Sequence, residues 1–459
     1  ATCARPGSIF PPVFGRGGTT ENGTLDGKRL CQIPGGPLLS DLTLSGGNEL
    51  IYELNGTVTV GADLGPDPAN PLPTGTSATL TIDPGVTVVA EGNNDYLIVT
   101  RGSRLIANGT ANSPVVFTAK GVLDGSVTVT SSLKGIWGGL VINGRAPINA
   151  CIVATAAGGS VDCEKTGEGG SGLFGGATAD DNSGRLNYTR IQYAGVRLTN
   201  DDELNGIAFQ GVGSGTEISY VQVANNLDDG IEWFGGTVSA DHLVVTGVGD
   251  DSLDWTDGWT GSLQYAIVYP GVLGTDGAMS GDPRGIEADN FNNDNAKTPV
   301  SAPDLSNFTL INSGDASTQQ GVLLRRGTQG TIANGIIADW SVGLDVDDAQ
   351  TLANFTNGDL VIQSLFLDNT ANFATDADGV PAFAAGNNIV EGTNSLGGFT
   401  FVPGATGVVP GTTEAGVPVF DVTGIGSLQP TTYVGAVEGA SDTWFRGWTV
   451  DLTGAETTN

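Results

Sequence analysis

The strongest chemical pattern in the sequence is a set of carboxylates that repeats. Asp228, Asp229 and Glu232 recur as Asp250, Asp251 and Asp254, with Asp257 just after. The phrase DDGIEWFGG (228–236) matches DDSLDWTDG (250–258) at an offset of 22 residues, and Trp233 falls on Trp255. Carboxylates stacked one strand spacing apart, about 4.8 Å, repel each other and hold their protons more tightly unless something compensates. Calcium compensates, because it takes about six to eight oxygen ligands from carboxylates, carbonyls and water. These seven residues are therefore candidate metal ligands, and calcium is the expected cofactor. The plain alternative is a row of acids pointing outward from turns into water. The same pairs offer the roughly 5–10 Å separation that glycoside hydrolysis uses. Any solenoid with stacked acids produces such pairs, however, and no catalytic phrase accompanies them, so no catalytic residue is assigned.

Other residues that could do chemistry carry less. Arg325 and Arg326 lie 22 residues before Asp347 and Asp348, which predicts a ladder of ion pairs between turns of the chain. A lyase base beside a calcium site is the sharper alternative. His242 is the one histidine and lies in an apparent strand, with no nucleophile phrase to make a triad. GVGSG (211–215) leads into a strand rather than a helix, so it does not cradle phosphate. The seven tryptophans, Trp137, Trp233, Trp255, Trp259, Trp340, Trp444 and Trp448, are expected in the core, with Trp233 stacked on Trp255. A sugar-stacking face is the alternative. Asn-x-Ser/Thr sequences at Asn22, Asn55, Asn108, Asn187, Asn307 and Asn354 are read as turn chemistry.

What must position these residues is a repeat. A phrase of small, aliphatic, any and bulky residues recurs as GIAF (206–209), GIEW (230–233), SLDW (252–255), GIEA (285–288), GVLL (321–324) and GLDV (343–346). The 22-residue alignment also sets Leu243 on Tyr265 and Val245 on Ile267. Helical periodicity is nearly absent, and short β-branched runs alternate with Gly, Asn, Asp and Pro turns. A period near 22 is too short for a propeller blade and suits one coil of a parallel β-helix. The predicted fold is all-β: a right-handed, single-stranded parallel β-helix with coils of about 22 residues, capped ends and inserted loops. Residues 1–50 read as an N-terminal cap, 51–380 as the helix with insertions near 140–185 and 270–304, and 381–459 as C-terminal coils and cap.

Composition excludes several partners. With 50 Asp+Glu against 18 Lys+Arg, the net charge of −32 opposes nucleic acid and anionic membrane surfaces. No apolar run is long enough to span a bilayer as a helix. The four cysteines pair most naturally as Cys3–Cys31 and Cys151–Cys163, two local staples suited to an oxidising compartment. The sequence opens on Ala1 and its single Met is Met279, so a mature, exported chain is expected.

The segments GTANSPVVFTA (109–119), IWGGLVINGRAPIN (136–149), NSGRLNYTRIQYAGV (182–196), NGIAFQGVGSGTEISYVQV (205–223), DDGIEWFGGTV (228–238) and YVGAVEGASDTWFRGWT (433–449) resemble a family of uncharacterised, lipoprotein-like secreted bacterial proteins. The similarity covers residues 75–450. It implies a right-handed parallel β-helix and export to the medium or cell surface, and it brings no reaction with it. The expected function is thus an exported structural or interaction protein of the cell surface or extracellular matrix. Its partners would be copies of itself, as a filament, or surface glycans. The apolar start, with Ile9, Phe10, Val13 and Phe14, is the candidate docking segment. A calcium-dependent polysaccharide hydrolase or lyase, or a glycan-binding module, is the alternative.

Overall fold

The computed structural model describes residues 3, 18–199, 202–270, 283–312, 320–375, 379–401 and 404–458. The docking segment around Ile9, Phe10, Val13 and Phe14 lies outside the described residues. The chain winds as a right-handed parallel β-helix, as its repeats predict. Its main sheet holds 25 strands, and every pairing among the coils is parallel. One antiparallel pairing starts it, where Thr20–Leu25 folds back on Lys28–Leu38.

The six repeated phrases form one continuous face. Ile207–Gln210 pairs with Ile231–Phe234, then Leu253–Thr256, Ile286–Ala288, Gln320–Leu324 and Val342–Val346. Side chains alternate across a strand, so the pattern small–aliphatic–x–bulky sends two residues of each phrase inward. Ile207 and Phe209, Ile231 and Trp233, and Leu253 and Trp255 are all fully buried. Each such side chain contributes about 1.5–3 kcal/mol relative to exposure. The residue between them points out, which creates an external column of Ala208, Glu232, Asp254, Glu287, Leu323 and Asp345. The register that builds the core therefore also builds the acidic row.

A second register differs from expectation. Leu243 pairs with Ala266 and Val245 with Val268, an offset of 23 rather than 22. The turn after Leu253–Thr256 holds one extra residue, and Trp259 in that turn folds into the core. Trp259 stacks on Trp233 at 4.6 Å and meets Trp255 at 5.6 Å. Trp233 and Trp255 are register neighbours as expected, but Trp259 makes the ring stack. Six tryptophans are at most 1 % exposed and Trp444 is partly buried. A sugar-stacking tryptophan face is not formed.

The long strands bend at one recurrent position. Tyr188, Tyr220, His242, Tyr265, Asn307, Asn334 and Ser364 all take positive φ and align from coil to coil. Tyr188, Tyr220, His242 and Tyr265 stack with centroids 4.2–4.7 Å apart. Stacking helps hold a backbone conformation that bulky residues rarely adopt. His242 is thus a corner residue, with Nδ1 2.5 Å from Asp241 Oδ1. Asn307 belongs to the same corner, whereas Asn354 lies within the helix Ala349–Asn357, buried, and donates to Gly327 O and Thr328 O, so it is not the turn residue expected.

Both disulfides form as expected: Cys3–Cys31 fastens the start of the chain to the first long strand, and Cys151–Cys163 closes a loop of the inserted segment. That insertion is tied down by Arg101, fully buried, which pairs with Asp63 at 2.6 Å and Glu164 at 2.5 Å. The C-terminal residues lie along the flank of the coils. Phe420, Gln429, Tyr433 and Val450 bond to Asn334, Gln264, Asn307 and Gln222 respectively. Phe401, Phe445 and Trp448 pack there on Val244, Ile267 and Ile311. No helix among the described residues is long and apolar enough to cross a membrane.

Candidate functional site

Three successive coils place acids at an outward strand position, and two of them also at the turn before it. One is the outward residue of the repeated phrase, namely Glu232, Asp254 and Glu287 in neighbouring strands. The other is the turn leading into those strands, with Asp228 and Asp229 in one coil and Asp250 and Asp251 in the next. Turn and strand converge on an open cleft of about 420 Å³. Its lining holds nine carboxylates, from Glu168, Glu203, Asp228, Asp229, Glu232, Asp250, Asp251, Asp254 and Glu287, and two guanidiniums, from Arg284 and Arg325.

Part of this charge does structural work. Asp229 Oδ1 accepts from the Asp251 N–H at 2.9 Å, and Asp251 Oδ1 accepts from the Arg284 N–H at 2.6 Å. Each turn carboxylate thus caps the backbone of the next coil and fixes the spacing of the row. Glu232 Oε2 accepts from Asn205 Nδ2 at 2.6 Å. Burial pushes the carboxyls of Asp228, Asp229, Glu232, Asp251 and Asp254 well above the ordinary carboxylate range, and neighbouring negative charges push the same way. At the far end the row is neutralised. Arg284 Nη1 lies 2.6 Å from Glu287, and Arg325 bonds Glu287 and, at 2.8 Å, Asp289. Burial also raises the Glu287 carboxyl, against the pull of Arg325 and Arg284.

The donor set fits a hard divalent cation. Every ligand offered is a carboxylate oxygen. Three triplets, Asp228–Asp229–Asp250, Asp229–Glu232–Asp254 and Asp251–Asp254–Glu287, each bring one oxygen per residue within 4.8 Å of the others. Asp254 belongs to two of them, and its Oδ1 is sealed from solvent without a hydrogen-bond partner among the described residues. A buried, partnerless carboxylate oxygen is costly, and a cation supplies the missing partner.

Six of the seven expected ligands therefore come together. Asp257 does not join them. It sits past the end of its strand at φ 58°, is 2 % exposed, and pairs with Lys165 Nζ at 2.6 Å. Burial works against the Lys165 charge, yet Asp257 holds its affinity for a proton above the ordinary value. The Arg ladder is also different from expectation. Arg325 reaches back to Asp289 and Glu287, not forward to Asp347, because two buried acids outweigh one partly exposed one. Arg326 does meet Asp348, through its backbone N–H, while its side chain pairs with Asp289.

The reading from sequence missed Glu168, Glu203, Arg284 and Glu287. Glu287 occupies the third place of GIEA, the place of Glu232 in GIEW, so the repeat already contained it. Glu168 comes from the inserted segment, which has no period to locate it. Comparison with curated proteins returns no match. Residues 68–399 match the model of the pectate-lyase like beta helix domain, a span that includes every carboxylate of the cleft. With most of its length covered by that match and its coils wound in parallel register, the chain belongs to the pectate-lyase-like β-helix domain family.

Proposed function

We propose that this protein is an exported β-helix rod of the bacterial cell surface or extracellular matrix, and that its acidic cleft holds calcium. One observation carries the metal: among the described residues, nine carboxylates face two guanidiniums around one cleft, and Asp254 Oδ1 has no hydrogen-bond partner. Export is supported by the two disulfides, which persist in oxidising compartments. In this reading calcium neutralises the row, the rod stays rigid, and its ends and loops serve adhesion or self-assembly into filaments.

Titration of the chelator-treated chain with calcium, followed calorimetrically, tests the metal. The intact chain is expected to bind. Asp254→Asn is expected to weaken affinity by at least the roughly 10–100-fold that loss of an outer-shell partner costs a metal site. Unchanged affinity in that variant, or no binding by the intact chain, refutes the site.

A second reading has its own support. Arg284 and Arg325 stand in the cleft beside the acids, and the matched domain is pectate-lyase-like. An acidic glycan could lie along such a face, bound or cleaved. Fold-level likeness alone is a weak warrant for a reaction. A panel of acidic and neutral polysaccharides separates the readings. An enzyme releases product, and Asp229→Asn and Asp251→Asn abolish that release. The structural reading expects no product from the intact chain with calcium present.

A further inference from the structure

The three carboxylate triplets of the cleft are not equivalent. Guanidiniums already serve Asp251–Asp254–Glu287: Arg284 Nη1 lies 2.6 Å from Glu287 and 3.4 Å from Asp251, and Arg325 bonds Glu287 as well. The other two triplets, Asp228–Asp229–Asp250 and Asp229–Glu232–Asp254, share Asp229. In them Asp228, Asp229, Glu232 and Asp254 make no ion pair with Lys or Arg among the described residues. Ionised, these four carboxylates carry four negative charges, which one divalent cation half neutralises and two balance. A buried charge left unbalanced costs several kcal/mol.

A second observation points to ligands in the same place. Asp229 is 8 % exposed and Glu232 7 %, and both line the cleft. Each spends one oxygen on the fold: Asp229 Oδ1 accepts from the Asp251 N–H at 2.9 Å, and Glu232 Oε2 accepts from Asn205 Nδ2 at 2.6 Å. Their other oxygens, Asp229 Oδ2 and Glu232 Oε1, accept no hydrogen bond among the described residues. Asp254 Oδ1 is sealed without a partner there too, and so is Oδ1 of Asn205, which is 2 % exposed. All three carboxylates of one triplet thus keep an oxygen without a donor, a costly state in a nearly buried position.

We propose, resting on the calcium reading above, that the cleft holds two calcium ions side by side. One lies in Asp228–Asp229–Asp250 and one in Asp229–Glu232–Asp254, with Asp229 as the shared ligand. Arg284 and Arg325 stand in for a third ion at Asp251–Asp254–Glu287. The oxygens already bonded to the Asp251 N–H and to Asn205 hold the shared and flanking carboxylates in place, and the open side of the cleft leaves room for water to complete each coordination shell.

Equilibrium dialysis of the chelator-treated full chain against radioactive calcium counts the ions. The intact chain is expected to hold two. Asp228→Asn and Glu232→Gln are each expected to hold one, because each residue belongs to one of the two triplets. Asp229→Asn keeps an oxygen for the Asp251 N–H and is expected to weaken both ions, each by roughly tenfold or more. A single ion in the intact chain overturns the second centre and leaves the calcium reading standing, whereas no ion overturns both. Two ions that survive both Asp228→Asn and Glu232→Gln overturn the placement. Loss of only one ion in Asp229→Asn, with the other unchanged in affinity, overturns the shared ligand.

Discussion

Calcium added to the chelator-treated chain at neutral pH is expected to raise its unfolding midpoint, with about 2.7 kcal/mol of added stability at a hundredfold excess over Kd. The sign and the pH dependence follow from the carboxyls of Asp228, Asp229, Glu232, Asp251 and Asp254, all raised by burial and by each other. Without metal, the folded chain holds more protons than the unfolded one between the ordinary carboxylate range and these raised values. Stability therefore falls as pH climbs through that window, and it is fully present below the unfolded values. Calcium competes with those protons, so its benefit grows with pH. Asp254→Asn removes one repelling charge and is expected to raise the metal-free midpoint at neutral pH while shrinking the gain from calcium. Thermal melts at mildly acidic and neutral pH, with calcium and with chelator, check all three signs. A calcium effect larger at the acidic pH would contradict the assignment.

Trp259→Ala is expected to cost about 3–5 kcal/mol, the range for removing a large buried aromatic side chain. Trp259 is fully buried and lies against both Trp233 and Trp255. Its Nε1 also donates to Val238 O at 2.9 Å, so the substitution leaves a cavity and an unsatisfied carbonyl together. Denaturant unfolding followed by far-UV circular dichroism measures the loss. A change below about 1 kcal/mol would mean that the coils close over the space, and that the inward turn residue is not what holds this part of the core.

Much of the fold was legible because a solenoid writes its geometry locally. Phrases such as GIEW and SLDW recur because each coil solves the same packing problem, so their spacing reports the register directly. Asp228, Asp229, Glu232, Asp250, Asp251 and Asp254 were legible as a cluster for the same reason. Residues off the period were not. Asp257 follows the same phrase, but a left-handed backbone turns it toward Lys165 from the insertion. The slip from 22 to 23 at Leu243 came from one added residue in a turn, which no repeat phrase marks.

By itself, the sequence determined the winding, the inward ladder of Ile, Leu, Phe and Trp, and the outward row of acids, because alternation along a strand and repetition between coils follow from residue order alone. Tertiary structure decided what faces that row and what covers the flank. Glu168 arrives from an insertion, Arg284 and Arg325 close the far end, and the C-terminal residues lie over coils up to 266 positions away in sequence, as Glu456 does on Arg190. Such contacts join segments that share no period, so only the folded chain brings them together.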